Sequence, residues 1–347
     1  MPTKKIMSQT TTKHQNYSAE PRAGRSKLVL IFLYLILSGL LALVPMALTA
    51  QAVPRLEENI PFLVTFGPDA PADWGDDDHC SIFFISLPVD YDQAIYLRVF
   101  DPDVGGQHDE NKGGFNTRTK WSVMGGKGAF SEPDARSIDP IGNYRAGTML
   151  YSKTFTQNDR YDEQWYTFGP LLPAEGEKVT FGGQEKICFK VIAEGISGDD
   201  GNLYRYFIST DPEENIEVEG CEPFTFEYNF RMGKGMSHLY PFINQNVVRI
   251  RQHNFDFDND GYLRICSLVR KSELVKYSRD GDWSISTHNI YEKEKGACMD
   301  LQIVSLVKRR NNNMVIYITN QYGEALPFMN YPIGLEELNN KIKVVRN

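Results

Sequence analysis

Short runs in which apolar and polar residues alternate recur from residue 81 to residue 319, and almost none has helical spacing. Segments 81–87, 94–100, 117–123, 148–155, 186–193, 203–209 and 224–230 are rich in β-branched and aromatic residues. Segments 247–251, 262–270, 283–290, 301–307 and 314–319 continue the pattern. A period of two sends successive side chains to opposite faces, so each run can bury one face of a strand. Clusters of Gly, Pro, Asn and Asp separate the runs and supply turns. Only 335–338 reads as a turn of helix. Many short strands without long helices predict an all-β protein built from antiparallel sheets.

The beginning of the chain is different. Lys4, Lys5, Lys13, Arg22, Arg25 and Lys27 stand against one acid, Glu20, and an apolar run follows from Leu28 to Ala50. Ala50, Gln51 and Ala52 then place small residues two apart ahead of Val53 and Pro54. This pattern predicts a signal segment over 1–52 with cleavage after Ala52, and hence an exported protein of the periplasm, cell surface or extracellular space. The run is also long enough to span a bilayer uncleaved, which would make the leader a signal anchor. On either expectation residues 1–52 serve targeting and not the fold. The membrane is involved only through an uncleaved leader.

Charge divides the rest. The whole chain carries −8, and the leader is positive. Residues 53–225 hold 14 Lys and Arg against 31 Asp and Glu, whereas 226–347 hold 17 against 13. The switch predicts two β-sandwich domains of the C2, immunoglobulin or jelly-roll kind, 53–230 and 231–347. Arg231, Met232, Gly233, Lys234, Gly235 and Met236 would be a flexible join between them. The acidic half argues against nucleic acid, whose phosphates need clustered Lys and Arg. Cys80, Cys188, Cys221, Cys266 and Cys298 contain no C-x-x-C pair, so a zinc ribbon is not expected. Two readings stay open for them: bridges, of which Cys188–Cys221 and Cys266–Cys298 are the local choices, or small buried hydrophobes.

The sharpest motif is Asp256, Phe257, Asp258, Asn259, Asp260 and Gly261. It resembles the D-x-D-x-D-G core of calcium loops. A hard cation takes 6–8 oxygens, and carboxylates at alternate positions of a tight loop can converge on one point. Tyr262 would offer the next backbone carbonyl. The resemblance stops there, because the twelfth position from Asp256 is Ser267 and strands flank the loop, so a helix–loop–helix sensor is not implied. In the first half Asp101 and Asp103 close a strong strand, and Asp199 and Asp200 open another. These four are expected as further calcium ligands if the acidic loops gather at one end of a sandwich. A local echo links Gly198-Asp199-Asp200-Gly201 with Asp258-Asn259-Asp260-Gly261, since each precedes an aromatic strand.

Catalytic spacing is sparse. There is no G-x-S-x-G elbow, no phosphate-cradling glycine loop and no H-E-x-x-H. His79 and His108 neighbour acids but lack zinc-site spacing. Trp74, Trp121, Trp165 and Trp283 could stack on sugars or fill the core. The expectation is therefore an exported calcium-binding β-sandwich protein with a structural, adhesive or binding role. The alternatives are a carbohydrate-binding module or sugar-active enzyme, which would take a glycan, and a membrane-anchored envelope component docking an envelope protein.

Overall fold

The chain folds into two antiparallel β-sheets whose inner faces share a core; the structure is a computed structural model that describes residues 51–258, 261–307 and 312–335. The first strands are β1 (Ala52–Val53), β2 (Phe62–Phe66), β3 (Cys80–Pro88), β4 (Ile95–Phe100) and β5 (Arg118–Gly125). There follow β6 (Thr148–Phe155), β7 (Trp165–Leu171), β8 (Glu177–Phe181), β9 (Gln184–Ser197), β10 (Gly201–Ser209) and β11 (Glu222–Thr225). The later strands are β12 (Glu227–Arg231), β13 (Gly235–Ile243), β14 (Arg249–Phe255), β15 (Gly261–Cys266) and β16 (Glu273–Val275). The last are β17 (Trp283–Asn289), β18 (Ala297–Cys298), β19 (Asp300–Ser305), β20 (Asn313–Asn320) and β21 (Phe328–Met329).

The first sheet runs β17-β14-β20-β12-β2-β10-β4-β7, with β1 added on β10. The second runs β16-β15-β19-β13-β21-β11-β3-β9-β5-β6, with β8 on β9 and β18 on β13. These orders contain a repeat. β2, β4, β7 and β10 occupy the places that β12, β14, β17 and β20 occupy in reversed order. β3, β5, β6, β9 and β11 correspond in the same way to β13, β15, β16, β19 and β21. The copies meet edge to edge, β2 on β12 in one sheet and β11 on β21 in the other. All pairings are antiparallel, so five steps from β4 to β14 reverse the strand direction. Reversed order with reversed direction relates the copies by an approximate twofold axis perpendicular to the sheets.

The charge switch thus marks the passage from one repeat to the other, while sheets and core run through it. One apolar cluster contains Leu63, Ile85, Trp121 and Val191 of the first repeat with Phe230, Leu239, Ile303 and Ile316 of the second. The expected flexible join is instead ordered structure. Arg231 ends β12, Met232 is buried at 6% exposure, and Gly235 opens β13, so the link carries the chain from one sheet to the other. The expected strand 224–230 breaks at Phe226, because β11 and β12 belong to different sheets. The strand expected over 262–270 stops at Cys266, where Ser267 Oγ accepts the Val269 and Arg270 amides and turns the chain.

One further expectation is corrected, and one open choice is decided. Gln51 and Ala52 belong to the fold: the Gln51 side chain is buried and bonds both backbone groups of Val218, and Ala52 pairs with Phe207. All five cysteines are free and buried, as small hydrophobes. The expected helical turn at 335–338 falls, after Leu335, outside the described residues. Residues 1–50 of the leader lie outside them as well, and among the described residues no helix is long and apolar enough to cross a membrane.

Candidate metal centres

Strand β4 delivers Phe100 opposite Trp165, the first residue of β7, and their rings lie 5.4 Å apart. The next residue, Asp101, adopts the left-handed region at φ 59° and turns its side chain back toward the start of β7. Its amide donates to the Gln164 carbonyl at 2.9 Å, and its Oδ1 accepts the Glu163 amide at 3.1 Å. Two residues on, Asp103 Oδ2 accepts the Asn158 amide at 2.7 Å. Strand pairing then brings in an acid remote in sequence, Asp162. Oxygens of Asp101, Asp103 and Asp162 all lie within 4.8 Å of one another. Asp103 is fully buried, and its Oδ1 has no hydrogen-bond partner; nor has the buried Asp162 Oδ1. Gly105 lets the loop pass close: a Cβ there would sit 2.9 Å from Asp162 Oδ1.

The second repeat builds the same arrangement. β14 ends at Phe255, opposite Trp283 of β17, with ring centroids 5.1 Å apart. Asp256 follows at φ 58°, its amide donates to the Asp282 carbonyl, and its Oδ1 accepts the Gly281 amide at 2.7 Å. Glu163 and Gly281 hold equivalent positions and both lie in the left-handed region, at φ 55° and 59°. Oxygens of Asp256, Asp258 and Asp280 again lie within 4.8 Å of one another. The common signature is Phe-Asp-x-Asp at the end of one strand and Asp-x-x-Trp at the start of its neighbour.

The aspartate that directly follows the first strand is raised in both. Burial pushes the Asp101 carboxyl up to about 7 against the Glu163 amide bond, and Asp103 and Asp162 push the same way. Burial also raises Asp103, to about 6, and Asp162. In the second repeat burial raises Asp256 to about 7, with Asp258 and Asp280 adding to it. Carboxylates crowded in low dielectric resist ionising together unless a cation joins them.

The structure sorts the expected ligands. Asp101 with Asp103, and Asp256 with Asp258, are brought together; Asp260 lies outside the described residues. Tyr262 faces Val304 in the β15–β19 ladder. Among the described residues, Asp199 and Asp200 join no three-acid group. Asp200 is a buried clamp whose Oδ2 accepts the Asn116 and Thr117 amides at 2.7 and 3.0 Å, while Asp199 Oδ1 accepts the Asn116 side chain. Asp162 and Asp280 were not expected. The acidic loops do not all gather at one end, because β4 and β14 run in opposite directions and their C-terminal ends point opposite ways.

The aromatic residues are placed by the same symmetry. Trp121 is buried and donates to the Pro102 carbonyl beside the first acid group. Trp165 and Trp283, each 38% exposed, stand on the two outermost strands of the first sheet. Seven strand spacings of about 4.8 Å part them by roughly 34 Å, too far for one stacking strip. His108 pairs with Glu163 at 2.9 Å, and among the described residues no histidine joins an acid group. Comparison with protein families finds none that matches the chain, and comparison with curated proteins finds no match either.

Proposed function

We propose that this chain is an exported calcium-binding β-sandwich protein with a structural or adhesive role, and that each repeat carries one calcium site. The observation that carries this reading is Asp103: a fully buried carboxylate with one oxygen on a backbone amide and the other without a partner, in a group whose Asp101, Asp103 and Asp162 oxygens lie within 4.8 Å of one another. An unpaired buried charge is costly, and a hard cation with oxygen ligands is the natural complement. The backbone amides of Glu163, Asn158 and Gly281 orient the aspartates as outer-shell partners orient metal ligands. Recurrence of the same three-acid geometry in both repeats adds support.

Calcium would then stabilise the folded state by RT ln(1 + [L]/Kd), about 2.7 kcal/mol per site at a hundredfold excess over Kd. Calorimetric titration and thermal unfolding with calcium or chelator test this. Binding and stabilisation are expected in the native sequence and should fall by one site in Asp103→Asn. An unfolding temperature indifferent to calcium and chelator would defeat the proposal. Export rests on the leader, and the mass of the secreted chain tests it.

A catalytic reading has one geometric basis. Ser286 Oγ lies 3.2 Å from His288 Nε2, and His288 Nδ1 lies 2.5 Å from Glu273 Oε1. Ser286 and His288 are buried, however, and Ser286 Oγ faces Gln252. Arg270 binds both Glu273 and Glu294. We read this group as a packed ionic network of the second repeat.

A further inference from the structure

The geometry points to a third divalent-cation site formed by Asp77, Asp78 and Glu227, with no twin in the second repeat. It would tie the connection between β2 and β3 to the seam strand β12. Oxygens of the three acids lie within 4.8 Å of one another. Each residue as a whole is half-buried, but Asp77 Oδ1, Asp78 Oδ2 and Glu227 Oε1 are each sealed from solvent and have no hydrogen-bond partner. Here every acid contributes an orphaned oxygen. The loop is shaped to present them. Asp78 Oδ1 accepts the Cys80 amide at 2.9 Å, which leaves Oδ2 to face inward, and His79 takes the left-handed region at φ 54°. On the same face of β12, Asn229 Oδ1 is also buried without a partner.

A second observation concerns space. Asp78 and Glu227 line a small, partly open cavity of about 10 Å³ whose other walls include Cys80, Ile82, Phe84 and Phe226. That is room for about one water-sized particle. The charged groups that face the three acids are acids too, Asp76 and Asp139. Among the described residues no Lys, Arg or His forms an ion pair with any of the three. Oxygen-only ligands with this density of negative charge suit calcium or a cation of similar hardness and exclude soft metals.

The site is absent from the second repeat for a structural reason. The link from β12 to β13 is only Met232, Gly233 and Lys234, whereas the corresponding link in the first repeat runs from Gly67 to His79. Glu227 also lies opposite Tyr317 of β20, so an ion here would connect the first repeat to strands of the second.

The test uses the full chain and counts bound calcium by equilibrium dialysis at saturating calcium. The native sequence is expected to bind three ions, Asp103→Asn with Asp256→Asn one, and addition of Glu227→Gln to that pair none. If the two-site reading fails but this one holds, the native chain binds a single ion that Glu227→Gln removes. The inference is overturned if the folded Asp103→Asn, Asp256→Asn chain binds no calcium. It is equally overturned if Glu227→Gln, folded by circular dichroism, binds as many ions as the native chain. Should Glu227→Gln not fold, Asp77→Asn takes its place with the same expected counts.

Discussion

Removing the Asp200 carboxylate separates a structural acid from a metal ligand. Asp200 Oδ2 holds the Asn116 and Thr117 amides at 2.7 and 3.0 Å, Oδ1 reaches the Lys112 amide at 3.4 Å, and the residue is fully buried. Hydrogen bonds to a charged acceptor contribute about 1.5–3 kcal/mol each, and buried donors left unpaired cost a similar amount. Counting only the two short bonds, Asp200→Ala should destabilise by about 4 kcal/mol. For roughly 300 ordered residues the unfolding entropy is near 0.6 kcal/mol/K, so the unfolding temperature should drop by about 6 °C. Asp200→Asn keeps the shape and one carbonyl oxygen, and should lose about half as much. The assay is thermal unfolding followed by circular dichroism, once in excess calcium and once in chelator. The drop should be the same in both. A loss seen in calcium and absent in chelator would make Asp200 a ligand and refute the reasoning.

Glu58→Gln should flatten the pH dependence of stability. Burial raises Glu58 to about 8 although Arg55 N and Tyr228 Oη bond its carboxyl at 2.6 and 2.9 Å. A raised carboxyl gives stability that is whole below its ordinary value of 4.5 and lost as pH rises through about 8. The native chain should therefore weaken over that window by up to a few kcal/mol and the variant by less, as melts in chelator would show; parallel curves would contradict this. Gly105→Ala should leave stability in chelator within about 1 kcal/mol, because only the far end of Asp162 must yield, yet weaken calcium binding about tenfold by displacing that oxygen. Calorimetry reads the affinity, and an unchanged value would remove Asp162 from the site. The five buried thiols should react with an aromatic disulfide reagent only after unfolding, and reductant should not move the melt; fast labelling of the native chain would count against their burial.

Much of the fold is legible because short runs rich in β-branched and aromatic residues, bounded by turn formers, mark β3, β4, β6, β10 and β20, although β3, β10 and β20 bury both faces and do not alternate. Strand β7 is obscured in the sequence because Gly169 and Pro170 interrupt its pattern; Pro170 is tolerated on an edge strand, which β7 is. β13 was masked by the glycines before it, which suggested a linker. The repeat was illegible because it survives in strand order and not in residue identity, apart from Phe-Asp-x-Asp and Asp-x-x-Trp. The apparent echo between 198–201 and 258–261 compares loops that are not equivalent: one joins β9 to β10, the other β14 to β15. Asp101, Asp103, Asp256 and Asp258 could be found because each pair sits at a strand end within three residues. Asp162 and Asp280 could not, since only pairing of β4 with β7 and β14 with β17 delivers them.

The seam between the repeats closes two sheet edges at once. Taken alone, either repeat would present two naked borders, β2 with β11 or β12 with β21, each offering unsatisfied amides and carbonyls to any passing strand. A second copy of the same unit, turned half a revolution, would cover both borders at once. With both units in one polypeptide, their association does not depend on concentration, and the two halves carry different charge, one acidic and the other mildly positive.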